Sequence, residues 1–427
     1  MNSRPIELAK VFLKLGTIGF GGPAAHIAMM EEEVVTRRQW LTRSHFLDLL
    51  GATNLIPGPN STEMAIHIGY SYGGLSGLAI AGICFIFPAV LITAFCAWLY
   101  VKSGTLFSAE FFLYGIKPAV LAIILNALWR LGKKAVKNRQ LAIIALGVVP
   151  LLLLGMNEAI ALLLGGIIGA VWLKSTLPPD KTAALLVAGL NGSAIARTTA
   201  VYAAQTVDRV APSLWQIGLF FLKVGSVLFG SGYVLIAFLQ GEVVDKYGWL
   251  TQQELLDAIA IGQFTPGPVL STATFIGYLI AGIPGAIVAT IGIFFPSFLF
   301  VALLNPLIPK LRTSQWTAAF LDAVNVSAVA LMAVVTVQLA IAILLKPFAS
   351  LPFDPLALLI LVLAAIAAFR FQLNAAWIVL GGGILGSIAF GLLTPESLKP
   401  LKEAIALLHP IQPMAIETCL NVTVAIS

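Results

Sequence analysis

The sequence predicts an all-α polytopic membrane protein built from two homologous repeats, and three observations support this prediction. Of the 427 residues, 59% are hydrophobic and only 10% are charged, whereas soluble domains carry about a quarter charged residues. Uncharged apolar runs cover 75–101, 283–304 and 323–345, and each is long enough to cross a bilayer. The third observation is that the second half of the chain repeats motifs of the first.

The repeat becomes visible when residue n is aligned with residue n+209. Phe12-Leu13-Lys14 then matches Phe221-Leu222-Lys223, and Pro57-Gly58-Pro59 matches Pro266-Gly267-Pro268. After the second Pro-Gly-Pro, the offset becomes 208. Matches over such a length, with a single shift of register, indicate a tandem duplication.

Each half is expected to cross the membrane about five times. We assign 1–180 and 212–427 to the two repeats, and the more polar stretch 181–211 to an interfacial linker. The crossings are expected near 8–30, 75–101, 109–131, 141–156 and 158–175, and near 213–239, 283–305, 317–345, 355–370 and 373–392. An odd number of crossings per half predicts that the second repeat is inverted relative to the first.

Segments 46–72 and 255–281 are interpreted as broken helices or re-entrant hairpins, because Pro-Gly-Pro joins two apolar pieces that are too short to cross. Proline interrupts a helix, so the next helix presents free N–H groups, which suit an anion. The alternative is a tight turn without a ligand. The candidate binding residues are Pro57, Gly58, Pro59, Asn60, Ser61 and Thr62, and in the second half Pro266, Gly267, Pro268, Ser271 and Thr272.

Glu63 and His67 follow the first Pro-Gly-Pro on one helix face and have no counterparts in the second half. Intramembrane acids are costly and usually functional, and histidine titrates near neutral pH. Both residues are therefore candidates for proton coupling. A capping box with Asn60 is an alternative role for Glu63, as is a surface position, and an interhelical hydrogen bond is the alternative for His67.

Glycines interrupt the first apolar segment of each half. Gly21, Gly22 and Gly230 allow close approach either of a neighbouring helix or of a ligand, and we include them among the candidate binding residues. His26 follows this break and could donate to an anion, or it could make an ordinary interhelical hydrogen bond.

Lys14 and Lys223 are matched cations inside apolar stretches. Each needs a carboxylate or the substrate as a partner, unless it reaches the lipid headgroups. Lys223 is a candidate for substrate binding and Lys14 for coupling. Lys and Arg cluster in short loops, above all in 130–139, which holds five of the 25. The positive-inside rule predicts that this loop is cytoplasmic, and no nucleic-acid partner is expected for so short a loop.

Several enzyme classes are excluded by motif. The chain has no Walker A sequence, no HExxH and no GxSxG, and its His and Asp residues do not cluster as metal ligands. We therefore expect neither an enzyme nor a metal or cofactor, and no direct use of ATP. Secondary active transport of an anion is the leading hypothesis, and a passive anion channel is the alternative from another class.

The motifs of the first half are specific when taken together: Gly19-Phe20-Gly21-Gly22-Pro23, His26, Glu33, Trp40, Phe46-Leu47-Asp48, Pro57-Gly58-Pro59-Asn60-Ser61-Thr62-Glu63 and Gly69-Tyr70. This set resembles the chromate ion transporter family over essentially the whole chain, and long members of that family fuse two homologous halves. The resemblance implies a multi-pass protein of the bacterial inner membrane that exports chromate and confers chromate resistance.

The substrate has a chemical mimic, because sulfate is a tetrahedral dianion like chromate. A sulfate or general oxyanion carrier is therefore the alternative to a chromate exporter. The second half lacks His26, Asn60, Glu63 and His67, so the two halves are not expected to be functionally equivalent. A homodimer is expected by analogy with other duplicated transporters.

Overall fold

The computed structural model describes residues 3–20, 22–53, 55–102, 110–174, 212–229, 232–305, 314–345 and 354–393. Every regular element in these ranges is helical, which confirms the predicted all-α class. The linker 181–211 and the candidate residues Gly21 and Gly230 lie outside the described residues.

The helices of the first half are α1 (Ser3–Ile18), α2 (Gly22–Glu31), α3 (Arg43–Thr53), α4 (Asn60–Lys102), α5 (Glu110–Ala135), α6 (Arg139–Leu153) and α7 (Glu158–Lys174). Those of the second half are α8 (Leu214–Val227), α9 (Val234–Phe238), α10 (Gln252–Phe264), α11 (Thr272–Leu304), α12 (Gln315–Leu344), α13 (Pro355–Phe369) and α14 (Ala375–Leu393). Short π-helical turns follow α2 (Glu32–Arg37) and α9 (Leu239–Lys246), and a 3₁₀ turn (Val269–Ser271) precedes α11.

Helices α4 and α11 each contain a sharp bend at the same position of the alignment. Gly73 and Gly74 have φ/ψ of −142°/17° and 62°/−148°, and Ala281 and Gly282 have −143°/26° and 62°/−150°. The second residue of each bend occupies a region open essentially to glycine alone. Both bends fall at the predicted boundary between the broken-helix segment and the crossing that follows it.

The two arms of each bent helix fold back on one another. A Cβ atom on Gly69 would lie 2.4 Å from the Gly77 carbonyl oxygen, and one on Gly277 would lie 2.3 Å from that of Gly285. Backbone therefore packs on backbone across the bend, as small residues permit.

The second arms of α4 and α11 expose long apolar stripes. Ile83, Phe87, Leu91 and Phe95 are exposed on α4, and Ile283, Ile287, Ile291, Phe295, Leu299 and Leu303 on α11. A spacing of four residues puts each set on one helix face, and such a face is stable against lipid rather than water. In the described part of the chain, four helical stretches are long and apolar enough to cross a membrane: Asn60–Lys102, Tyr114–Ala135, Val269–Leu304 and Gln315–Leu344.

The chain packs into two compact units that cut across its halves. The first unit comprises 1–102 and 124–336. Within it, α1 packs on α4 through Gly16, and α8 packs on α11 through Gly225; a Cβ at either glycine would lie 2.4 Å from a facing backbone oxygen. The assignment of the halves as inverted repeats rests on the sequence and stays a prediction.

The second unit comprises 103–123 and 337–427. In its described part, the Tyr114 hydroxyl donates to Asp354, and the Asp354 carboxylate caps α13 by accepting from the Leu356 and Ala357 N–H groups, each at 3.0 Å. Gly115 closely approaches the backbone of Gly382.

Candidate functional site

Each Pro-Gly-Pro loop is anchored to the helix break of the other half. The Gly58 N–H donates to the Leu228 carbonyl oxygen at 2.7 Å, and the Gly267 N–H donates to the Gly19 carbonyl oxygen at 2.7 Å. Leu228 and Gly19 directly follow the ends of α8 and α1 and occupy matching positions of the alignment. Both loop glycines have positive φ, 146° and 92°, a region in which other residues are strained.

Polar side chains without partners converge on the first loop. The Thr62 hydroxyl, both carboxyl oxygens of Glu63 and the Ser297 hydroxyl are buried and have no hydrogen-bond partner. A Cβ atom on Gly58 would lie 2.2 Å from Glu63 Oε1 and 2.5 Å from Ser297 Oγ, so both oxygens approach this glycine closely. Unpaired buried polar groups are costly, and their concentration here indicates a ligand or proton site.

The structure removes two of the alternatives for Glu63. Its side chain is fully buried, so the surface position is wrong. Neither carboxyl oxygen accepts a hydrogen bond, so the capping box with Asn60 is not formed; the Glu63 N–H instead donates to the Pro59 carbonyl at 3.0 Å. Proton or substrate coupling stays a prediction for this carboxyl group.

His67 lies one helical turn beyond Glu63 and is fully buried. Its Nδ1 is 3.2 Å from Asn305 Oδ1 at the end of α11, while Nε2 has no partner. The interhelical hydrogen bond proposed as the alternative is therefore present, and one ring nitrogen stays available.

His26 contacts the backbone of the first break. Its Nε2 lies 2.9 Å from the Gly19 carbonyl oxygen, the same oxygen that accepts from Gly267. A neutral imidazole that donates from Nε2 has only a lone pair on Nδ1. His26 therefore supports the contact between the halves, and it could donate to an anion only after protonation. Gly22, which starts α2 with φ 78°, has the Tyr233 hydroxyl as its nearest side-chain neighbour.

The second loop is chemically different, because its hydroxyls are already paired. Ser271 accepts from the Thr93 hydroxyl at 3.2 Å, and the Thr272 hydroxyl donates to the Val269 carbonyl at 2.8 Å. Gly267 faces the methyl group of Ala89, 2.8 Å from a Cβ built on the glycine. The two loops have equivalent positions, but the unpaired polar groups gather at the first.

The duplicated lysines both find carboxylates. Lys14 Nζ lies 3.5 Å from Glu33 Oε2, and Lys223 donates to Glu242. Burial raises the pKa of Glu33, but the hydrogen bond from Arg38 and the charge of Lys14 outweigh it, so that the net pKa lies below its ordinary value. Both ammonium groups are therefore paired with carboxylates; Lys223 stays a candidate for substrate binding and Lys14 for coupling.

A cavity of about 340 Å³ lies beside the first loop. Leu55, which precedes Pro-Gly-Pro, and Phe229, which follows Leu228, both line it. Its charged lining consists of Lys134, Lys137 and Asp322, of which Lys137 and Asp322 form an ion pair at 2.7 Å.

Sequence reasoning missed Ser297 and Asn305. Ser297 lies within the apolar helix α11 and Asn305 directly follows its end, and neither belongs to a motif that a search would select. Ser297 directly follows Pro296 within α11, and only the packing of α11 on α4 brings it to the first loop.

Comparison with known proteins places the chain in a family. The family model described as chromate transporter matches residues 6–170 and 215–387. The chain is 35% identical over 390 residues to a chromate transport protein of Cupriavidus metallidurans, which covers 91% of this chain and 94% of the relative.

Two further relatives carry similar names. A probable chromate transport protein of Synechococcus elongatus is 34% identical over 323 residues, 75% of this chain and 81% of the relative. A chromate transport protein of Pseudomonas aeruginosa is 32% identical over 394 residues, 90% and 92% of the two chains. No solved structure matches. The family match in both halves and the agreement along almost the full length show that this chain belongs to the chromate transporter family.

Proposed function

We propose that the protein is a secondary active transporter that exports chromate across the plasma membrane and thereby confers chromate resistance. The relatives support chromate as the substrate. The observation that carries the site is the group of buried, unpartnered polar atoms of Thr62, Glu63 and Ser297 at the first Pro-Gly-Pro loop.

The anion binds at the N-terminus of α4. The first N–H groups of a helix have no intrahelical acceptor, and Asn60 and Ser61 open this helix directly after Pro59. The Thr62 and Ser297 hydroxyls add side-chain donors. Together they replace the hydration shell of a tetrahedral oxyanion, and the partial positive charge of the helix start favours a negative ligand.

Glu63 links anion binding to a proton. A carboxylate and a dianion in one buried site repel each other strongly, so Glu63 is neutral while the anion is bound. In this cycle Glu63 returns ionised through the empty site, so one proton leaves with each chromate dianion and each cycle moves one net negative charge outward. An interior-negative membrane potential drives this charge outward and contributes about 2.3 kcal/mol per 100 mV.

Alternating access follows from the matched breaks. In the proposed inverted repeat, the first loop holds the break of the second half and the second loop holds that of the first. A rocking motion of one half against the other moves the site between the two sides of the membrane. The cavity beside the first loop serves as the cytoplasmic approach, since Lys134 and Lys137 attract anions and belong to the loop expected in the cytoplasm.

The test is chromate uptake into everted membrane vesicles, with and without an imposed proton gradient. Coupled export predicts saturable uptake that depends on the gradient or the potential. Uptake that does not saturate and ignores both gradients indicates a passive channel, and absence of uptake contradicts the proposal.

Excess sulfate in the same assay separates the two oxyanion hypotheses. Weak competition by sulfate supports chromate as the true substrate. Complete suppression by equimolar sulfate assigns the protein as a general oxyanion carrier, because the loop then does not distinguish two dianions of similar shape.

A further inference from the structure

A second buried cluster of ionisable groups joins Lys223 and Glu242 of the second half to the start of α7 in the first half, outside the residues of either Pro-Gly-Pro loop. Glu242 accepts hydrogen bonds from Lys223 and, at 2.8 Å, from the Asn157 amide. The carboxyl group of Glu158, the residue after Asn157, reaches the same turn, where it lies against Gly241, the neighbour of Glu242. Glu242 is almost completely buried, and its Oε2 receives no donor from any N–H or hydroxyl group.

The charges in this cluster do not balance if both carboxyls are ionised. Among the described residues, this arrangement puts the two carboxyls of Glu158 and Glu242 beside the one ammonium group of Lys223. The nearby Asp245 accepts from the Gln240 amide at 2.8 Å and is held separately. Two carboxylates held in one site repel each other, as like charges do. A proton on one of them removes the excess charge and provides a hydrogen-bond donor to the other.

The matching cluster of the first half is different. Glu33, the counterpart of Glu242, contacts three cations: Lys14 at 3.5 Å, Arg37 at 3.6 Å and Arg38 at 3.3 Å. Because three cations surround this one carboxyl group, Glu33 is expected to be ionised. The same framework position thus carries surplus cations in one half and a second carboxyl in the other.

The residue before Glu242 makes room for the second carboxyl. A Cβ atom on Gly241 would lie only 1.7 Å from Glu158 Oε1. At the same position the first half has Glu32, whose side chain pairs with Arg37 at 3.2 Å. The absence of a side chain at position 241 is what allows Glu158 to reach the π-helical turn.

We propose that Glu158 and Glu242 share one proton and form a proton-binding site that is separate from the anion site. Loss of this proton leaves two repelling carboxylates between the start of α7 and the π-helical turn, which pushes these elements apart. Proton binding at this site does not depend on the proposed function. Only the effect of this proton on the transport cycle rests on that function.

The test is infrared difference spectroscopy during a pH titration of the full chain in lipid vesicles. Glu63→Gln serves as the background, so that the carboxyl at the anion site does not contribute. We expect a protonated-carboxyl C=O band that disappears as the pH is raised. This band is lost in Glu158→Gln and kept in the matched control Glu33→Gln. A band unaffected by Glu158→Gln, or lost equally in Glu33→Gln, overturns the proposal.

Two further variants keep both carboxyls and guard against a simple folding defect. Lys223→Gln removes the cation that pairs with Glu242 and raises the midpoint of the titration by about one to three pH units. Gly241→Ala displaces Glu158 and lowers the midpoint. An unchanged midpoint in both variants contradicts a shared proton. If the protein titrates as expected but does not transport chromate, the proton site is supported and only the proposed function is contradicted.

Discussion

At the scale of single residues, three polar groups distinguish the first Pro-Gly-Pro loop from the second. Glu63 is replaced by Ser271 in the second half, and Ser297 faces the first loop where Ala89 faces the second. The Thr62 hydroxyl has no partner, whereas the Ser271 and Thr272 hydroxyls of the second loop are paired. The two loops thus share their backbone geometry, but the unpaired polar groups gather at the first.

Replacing either hydroxyl at the first loop is expected to weaken chromate binding. A hydrogen bond to a charged group contributes about 1.5–3 kcal/mol, so Thr62→Val and Ser297→Ala should each raise KM for uptake about tenfold or more. The matched control is Thr336→Val, since this buried hydroxyl only donates to the Met332 carbonyl of its own helix. Unchanged KM in both loop variants, at equal protein level in the membrane, would contradict the assigned donors.

At the scale of elements, the bends of α4 and α11 depend on the backbone angles of two adjacent residues. The first residue of the bend is glycine in α4 and alanine in α11, with nearly the same backbone angles. The second residue is glycine in both, at φ 62°. Alanine in α11 demonstrates that the first position tolerates a side chain, while the second does not.

Two alanine substitutions in the same bend should therefore differ in stability. Gly74→Ala places a Cβ in a region reserved for glycine and should cost about 1–3 kcal/mol. Gly73→Ala should be neutral, because a Cβ there meets no atom within 4 Å. Thermal unfolding of the purified variants in detergent measures the difference, and equal midpoints for the two would show that the backbone angles are not the cause.

Much of the element pattern could be predicted from sequence, because helix breaks obey local chemistry. Pro-Gly-Pro and the glycine-rich breaks mark where helices end, and the predicted boundary after residue 72 falls at the observed bend. The sequence also predicts a carboxylate as one possible partner of Lys14, because a cation in an apolar stretch needs an anion.

The remainder depends on tertiary contacts that no local pattern encodes. The partners of these residues are far away in the chain: Asn305 contacts His67, 238 residues before it. Ser297 and Glu158 likewise meet residues of other helices, and neither belongs to a motif. The division into compact units was also inaccessible, because it follows packing rather than the order of the chain.

At the scale of the whole molecule, the distribution of cations predicts the orientation. Five cations lie around the turn between α5 and α6, and the positive-inside rule predicts that this turn faces the cytoplasm; they are Arg130, Lys133, Lys134, Lys137 and Arg139. The approach cavity of the proposed cycle shares two of these lysines, so the direction of export depends on the same assignment.

Cysteine labelling measures this orientation directly. Val136, exposed between α5 and α6, is changed to cysteine after Cys84, Cys96 and Cys419 are replaced by serine. A membrane-impermeant maleimide should label Val136→Cys in everted vesicles and leave it unlabelled in intact cells. Labelling from the outside of intact cells would reverse the orientation and place the cavity on the external face.

The reciprocal hydrogen bonds of Gly58 and Gly267 also bear on how such a chain can be divided. Each half supplies the acceptor that the loop of the other half requires, so a half expressed alone leaves a buried donor and a buried carbonyl without partners. Severing the chain between α7 and α8 should therefore yield two fragments that are unstable separately and restore each other by association. Joining the two halves in one chain then fixes their ratio at one to one. It also allows the side chains of each half to change independently while the hydrogen bonds between the halves are kept.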